Sequence, residues 1–184
     1  MGTIFAVSLP AAGALSGRRA PSFALPDLNL NYHDIMDYRG KVILLEIIKT
    51  DCPVCNSFQK VAESIRLKYA GKVVVLSIVM PPDNQTTVRQ FVGQNAVKSP
   101  ILFDCGQTSA VYMKATPRNP EIALPHIFLI DGNGMIREDY EYGNGNEPYF
   151  ESLAPLSKSI DVLVKELGAK PAVPKKLPVT KSGD

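Results

Sequence analysis

The chain predicts an α/β fold, with a central mixed β-sheet flanked by helices. Three observations carry that expectation. Val42 to Ile48 (VILLEII) is β-prone and almost wholly apolar, as a strand covered on both faces is. From Pro53 the spacing turns helical, with Val54, Phe58, Val61, Ala62, Ile65 and Tyr69 at i, i+3 and i+4 intervals. After a stop at Gly71-Lys72, Val73 to Val79 (VVVLSIV) reads as a second buried strand, which makes a right-handed parallel βαβ unit.

The other elements follow from local chemistry. Ala20 to Asp27 alternates and carries prolines, so it reads as an edge strand or an extended lead-in. Arg39-Gly40-Lys41 is a turn into the first central strand. Met80 to Asn84 (MPPDN) is a loop, followed by short helices over Thr86–Asn95 and Gln107–Ala115 with a short strand at Ile101–Asp104 between them. Ile127–Ile130 and Met135–Tyr142 form an antiparallel hairpin around Asp131-Gly132-Asn133-Gly134. An amphipathic helix over Tyr149–Leu167, bent or begun at Pro155, closes the domain.

With 184 residues, 45% hydrophobic and 21% charged, the chain suits one ordinary globular domain with extensions. Its net charge of +2 argues against nucleic acid as a partner, and no apolar run is long enough to span a membrane. The domain is placed at 20–168. Residues 1–19 read as an arm or the remnant of a targeting segment: Ile4 to Leu15 looks like the apolar part of a signal peptide, but no Lys or Arg precedes it and Pro10 interrupts it. Residues 169–184, rich in Pro and Lys, read as a flexible tail.

Chemistry concentrates at Cys52-Pro53-Val54-Cys55, at the seam between strand and helix. Unpaired N–H groups of a first helical turn favour negative charge, so Cys52 is expected to be an exposed, acidified, attacking thiol. Cys55, one turn further in and better shielded, suits the resolving role. Pro53 at the first helical position loses nothing, because its missing N–H has no partner there. Three other readings compete. A zinc site needs a second pair of ligands, and Cys105, His33 and His126 are scattered. A structural disulfide over so short a loop removes little chain entropy. Two inert buried cysteines are the third.

Four passages together resemble thioredoxin-fold proteins of the TlpA/ResA type, within the redoxin and AhpC/TSA-related group. They are Ala20-Pro21-Ser22-Phe23 through Asp37-Tyr38-Arg39-Gly40-Lys41; the strand with Cys52-Pro53-Val54-Cys55; Leu124-Pro125-His126-Ile127-Phe128-Leu129-Ile130-Asp131-Gly132-Asn133-Gly134; and the terminal helix. The resemblance spans roughly residues 20 to 167 and implies that Pro125 is a cis proline facing the two sulfurs. Leu124 would then pair its backbone with an incoming extended substrate. Pro53, Val54, Leu124, Pro125 and His126 are accordingly expected at the substrate-binding surface.

Glu46 interrupts an apolar strand six positions before Cys52, where thioredoxins similarly place a buried Asp. Desolvation should raise its pKa and let it accept the proton of Cys55; the competing reading pairs it with Lys49 at a sheet edge. Asp51 stands where thioredoxin-like proteins usually carry Trp, and Thr116–Ala123 (TPRNPEIA) looks like a loop insertion beside the expected groove. Cys105 is either reactive at a helix start or a partly buried bystander. His126 sits either near the sulfurs or in the groove wall, and His33 shows no constellation and is expected on the surface.

The leading function is thiol–disulfide exchange with protein disulfide or dithiol substrates, with Cys52, Cys55 and Glu46 as catalytic residues and neither cofactor nor metal required. A thiol peroxidase is the second reading, although the Pro-x-x-x-Thr-x-x-Cys passage of peroxiredoxins is missing. A copper-handling protein of the SCO kind is the third; those proteins use three residues between their cysteines. The resemblance implies work outside the bacterial cytoplasm, exported or membrane-tethered, rather than in it.

Overall fold

A computed structural model describes residues 13–167. A five-stranded mixed sheet has the order β5-β4-β3-β6-β7. Its central strand β3 (Val42–Ile48) is buried at every position. It pairs in parallel with β4 (Val73–Val79), residue 42 opposite 73, and antiparallel with β6 (His126–Ile130). The crossover from β3 to β4 is α1 (Pro53–Lys68), the expected βαβ unit. Strand β5 (Ile101–Phe103) extends the parallel half, and β7 (Ile136–Glu141) completes the hairpin with β6.

Alternation along β3 divides the core. Val42 and Leu44 face α1 and the terminal helices, packing with Phe58, Ile65, Phe150, Leu156 and Ile160. Ile43, Leu45 and Ile47 face the other way, against Phe23, Ile35, Phe128 and Tyr112 of α3 (Gln107–Met113). A third cluster at the end of the sheet joins Ile48, Cys55 and Val79 to Val88 and Phe91 of α2 (Gln85–Asn95). The carboxyl ends of β3, β4 and β5 therefore converge where α1 begins.

Two expectations change. The terminal helix is two helices, α4 (Glu147–Glu151) and α5 (Leu153–Leu167), separated at Ser152, whose backbone is extended at φ −141° and ψ 152°. Pro155 lies within the first turn of α5, where a missing N–H breaks nothing, so it neither bends nor starts the helix. Within Ala20–Asp27, the strand is β1 (Ala24–Pro26); it pairs antiparallel with β2 (Tyr32–Asp34) as a separate hairpin rather than edging the main sheet. A 3-10 helix, Ile35–Tyr38, follows it.

Residues 17–20 run beside the turn into β7, with Gly17 N–H donating to Ile136 and Ala20 N–H to Gly134. The signal-like stretch falls mostly, and the Pro/Lys-rich tail wholly, outside the described residues.

Candidate redox site

Cys52 and Cys55 form a disulfide, their Cα atoms 5.2 Å apart, within the range a cystine spans without moving backbone. Cys52 is the N-cap of α1, and its sulfur accepts the Cys55 N–H at 3.1 Å. Pro53 occupies the first turn and is exposed; Cys52 and Val54 are partly exposed, and Cys55 is fully buried. One sulfur is therefore approachable and the other enclosed by Ile48, Val79, Val88 and Phe91. The loop before the helix is tied down. Asn56 donates its side-chain amide to the carbonyls of Thr50 and Cys52 at 2.9 and 2.8 Å, and Asp83 accepts from the Thr50 N–H at 2.9 Å and from its hydroxyl.

Linked to the pair through Gln59 is Glu46, with no exposed surface. Its place on β3 puts it between β4 and β6, so the sheet-edge pairing with Lys49 does not form. Gln59 Nε2 donates to both carboxylate oxygens at 3.0 and 3.1 Å and to the Cys55 carbonyl at 3.2 Å. The Ser77 hydroxyl, opposite Glu46 in the β3–β4 register, donates to Oε1. Burial pushes the Glu46 carboxyl up to about 7, against the hydrogen bonds of Ser77 and Gln59, which pull it down.

Gln59 and Ser77 are site residues beyond those expected, and the sequence carries a signal for Gln59. It follows Cys55 by four residues, which puts a polar side chain on the buried face of α1.

The Leu124–Pro125 peptide bond is cis. Leu124 is partly exposed and packs on the cluster that holds Cys55, as does Cys52. His126, buried at the start of β6, lies against Phe128, with ring centroids 4.6 Å apart. Its Nε2 is 3.3 Å from Asp139 Oδ2, close enough for charge pairing but without hydrogen-bond alignment. Both residues wall a cleft of about 660 Å³ that is also bounded by Leu15, Met113, Glu121 and Ile122, the last two from the 116–123 loop. His126 therefore stands on the α3 face of the sheet, away from α1.

Two other residues differ from expectation. His33 has a constellation: Nδ1 lies 2.6 Å from the Tyr38 hydroxyl and Nε2 3.2 Å from Asp27. The hairpin, which sets His33 opposite Leu25, brings Asp27 in, and the 3-10 helix after β2 brings Tyr38. Cys105 is exposed rather than partly buried. Asp51 is exposed beside Cys52.

A cystine capping a helix above a buried carboxyl, with a cis proline near the same cluster and this sheet order, defines a thioredoxin-like protein that trades disulfides. The chain belongs to the Redoxin family, whose model matches residues 15–153. It is 29% identical over 122 residues to the thiol-disulfide oxidoreductase ResA of Bacillus thuringiensis, an alignment covering 66% of this chain and 67% of that one. Among solved structures, a proposed thiol:disulfide interchange protein DsbE from Chlorobium tepidum superposes with TM-score 0.67 at 23% identity, covering 81% of this chain and 97% of that one. A secreted disulfide oxidoreductase of Mycobacterium tuberculosis superposes with TM-score 0.58 at 19% identity, covering 77% and 96%. Both of these superpositions bear on the fold. The protein is a thiol–disulfide oxidoreductase working through Cys52-Pro53-Val54-Cys55.

Proposed function

We propose that the reduced protein transfers two electrons to a disulfide in a partner protein, with Cys52 attacking, Cys55 resolving and Glu46 taking the proton. The observation that carries this assignment is the unequal exposure of Cys52 and Cys55, with the Glu46 carboxyl, pushed up to about 7 by burial, joined to Cys55 through Gln59. The Cys52 thiolate attacks one sulfur of the partner cystine, forming a mixed disulfide and releasing a partner thiolate, which takes up a proton. Cys55 then gives its proton toward Glu46 and attacks the Cys52 sulfur. The Cys52–Cys55 bond forms, and the second partner thiol leaves. A dithiol reductant must return the electrons before the next turn; with a dithiol partner, the same steps run backwards.

Leu124 and cis Pro125 border this site and are assigned to the partner's extended backbone, with Pro53 and Val54 contacting it from the helix side. His126 is assigned to the wall of the neighbouring cleft on the α3 face of the sheet, where the partner's chain would run on past Pro125. The peroxidase and copper readings lose ground because the relatives matched are thiol-disulfide oxidoreductases. We assign the work to a compartment outside the bacterial cytoplasm, where protein disulfides persist. Among the described residues, no helix is long and apolar enough to cross a membrane.

An insulin-reduction assay driven by dithiothreitol tests the mechanism. Cys52→Ser is expected to reduce the rate to that of dithiothreitol alone; retained catalysis would remove Cys52 from the attacking role.

A further inference from the structure

The structure assigns Asn56 a positioning role in the exchange reaction: its side-chain amide, oriented by Asn95 of α2, holds the backbone of residues 50–52 so that the sulfur of reduced Cys52 stays against the open end of α1. This deepens the exchange reading above and rests on it. Asparagine is an unexpected choice at this position. It lies near the start of α1, where alanine would favour the helix more, because an Asn side chain competes for backbone groups. Here that competition is put to use. Asn56 Nδ2 reaches back to the carbonyls of Thr50 and Cys52, at 2.9 and 2.8 Å.

Which way round that amide sits is fixed from α2. The Phe91 carbonyl can only accept, so Asn95 turns its Nδ2 toward it, at 3.0 Å. The same Nδ2 donates to Asn56 Oδ1 at 2.7 Å. Asn56 therefore accepts on its oxygen and presents its N–H groups to the loop, where both partners are carbonyls. Each link in this chain has one polarity, set by backbone carbonyls at both ends. A reversed Asn56 amide would press its oxygen against two carbonyl oxygens.

The other end of α2 grips the same loop. Asp83, directly before the N-cap residue Asn84, accepts from the Thr50 N–H at 2.9 Å, from the Thr50 hydroxyl, and from the Thr87 hydroxyl at 2.8 Å. Between the two ends, Val88 and Phe91 cover Cys55. Opening the disulfide removes the covalent tie between Cys52 and Cys55. Thr50 and Cys52 are then held to α1 and α2 by these hydrogen bonds. The Cys52 sulfur is left where it accepts the Cys55 N–H, 3.1 Å away in the disulfide, and where the helix end favours negative charge. A loop that drifted would carry the thiolate away from that N–H, and less of the thiol would ionise.

The test follows alkylation of the reduced full chain by iodoacetamide from about pH 4 to about pH 9, with mass spectrometry locating the label at Cys52. Asn56→Ala is expected to move the midpoint of the profile upward and to slow Cys52 about fivefold below it, the effect of a weakened helix-end interaction, with the alkaline plateau unchanged. Asn95→Ala, which keeps Asn56 but frees its amide, should slow Cys52 about twofold in the same range. Both variants keep the charged groups around the loop (Lys49, Asp51, Asp83, and Glu46 behind Gln59), so the shift reads the position of the sulfur. An unmoved or lowered midpoint in Asn56→Ala overturns the proposal even if that variant melts lower, since a merely structural role costs stability without moving the titration. Should Asn56→Ala not fold, a parental midpoint in Asn95→Ala overturns it instead. Insulin reduction by the parent is measured alongside; a parent that does not accelerate it removes the exchange reading itself, whatever the profile.

Discussion

The side-chain amide of Gln59 reaches both oxygens of Glu46, at 3.0 and 3.1 Å, and the carbonyl of Cys55, at 3.2 Å. One side chain thus ties the buried carboxyl on β3 to the first turn of the helix that carries the cystine. Any change in the charge of Glu46 is felt within one residue of the resolving sulfur.

That coupling predicts the pH profile of disulfide closure. With its carboxyl at about 7, Glu46 passes from proton donor to acceptor across neutrality. The rate at which a mixed disulfide on Cys52 is resolved should rise between roughly pH 6 and pH 8, and Glu46→Gln should lower it by about 100-fold near neutrality while erasing that inflection. Stopped-flow measurement of partner release decides the matter. An identical profile in the variant removes Glu46 from proton transfer.

The same carboxyl shapes stability. Its pKa rises from an unfolded value of 4.5 to about 7 in the fold, chiefly by burial. Below 4.5 both states hold the proton and nothing is lost. As pH climbs between the two values the unfolded chain ionises first, and the fold weakens. Above about 7 the loss is complete, on the order of 3 kcal/mol for a shift of this size. Urea unfolding of Glu46→Gln against the parent should show the variant gaining over this window and then levelling off. A gap that narrows with rising pH would mean that the fold favours the carboxylate.

Unequal roles for the sulfurs predict which variant traps a partner. Cys55→Ser leaves Cys52 able to attack but removes the thiol that releases the product. Incubated with oxidised insulin after reduction, it should accumulate a covalent adduct on a non-reducing gel. Cys52→Ser should give none; a reversed pattern would exchange the two assignments.

Asp139 anchors residues 15 and 16 to β7, accepting from the Leu15 N–H at 3.0 Å and the Ser16 hydroxyl at 2.6 Å. Burial pushes its carboxyl up, yet His126 beside it, with those two donors, holds it below the ordinary value of 3.8. The stability it adds is full above that value and disappears as pH falls through the lower folded pKa. Asp139→Asn should cost roughly 1–3 kcal/mol at neutral pH, and the difference should vanish in strong acid. Thermal melts across the acid range measure it, and a constant difference refutes the ionic role.

How far each element was readable depended on the range of its causes. The hairpin of β6 and β7 announced itself through Asp131-Gly132-Asn133-Gly134 between two apolar runs. The break at Ser152 did not, although a serine directly before Leu153, with Pro155 close behind, is a helix-start pattern that reading Tyr149–Leu167 as one stripe overrode. His33 looked solitary because Asp27 comes to it across the β1–β2 hairpin and Tyr38 through the turn of the 3-10 helix that follows β2, neither at a recognised motif spacing.

From the residues alone came the α/β class, the βαβ unit, the redox pair with its unequal sulfurs, and Glu46 as an odd charge in an apolar strand. These rest on periodicity, helix-end electrostatics and burial, which act within a few positions along the chain. Folding alone settled that Ser77 and Gln59 hold the Glu46 carboxyl, and that His126 faces Asp139 on the α3 side of the sheet. Those contacts depend on strand register and on helices crossing the sheet, and so on residues that meet only after the chain has packed.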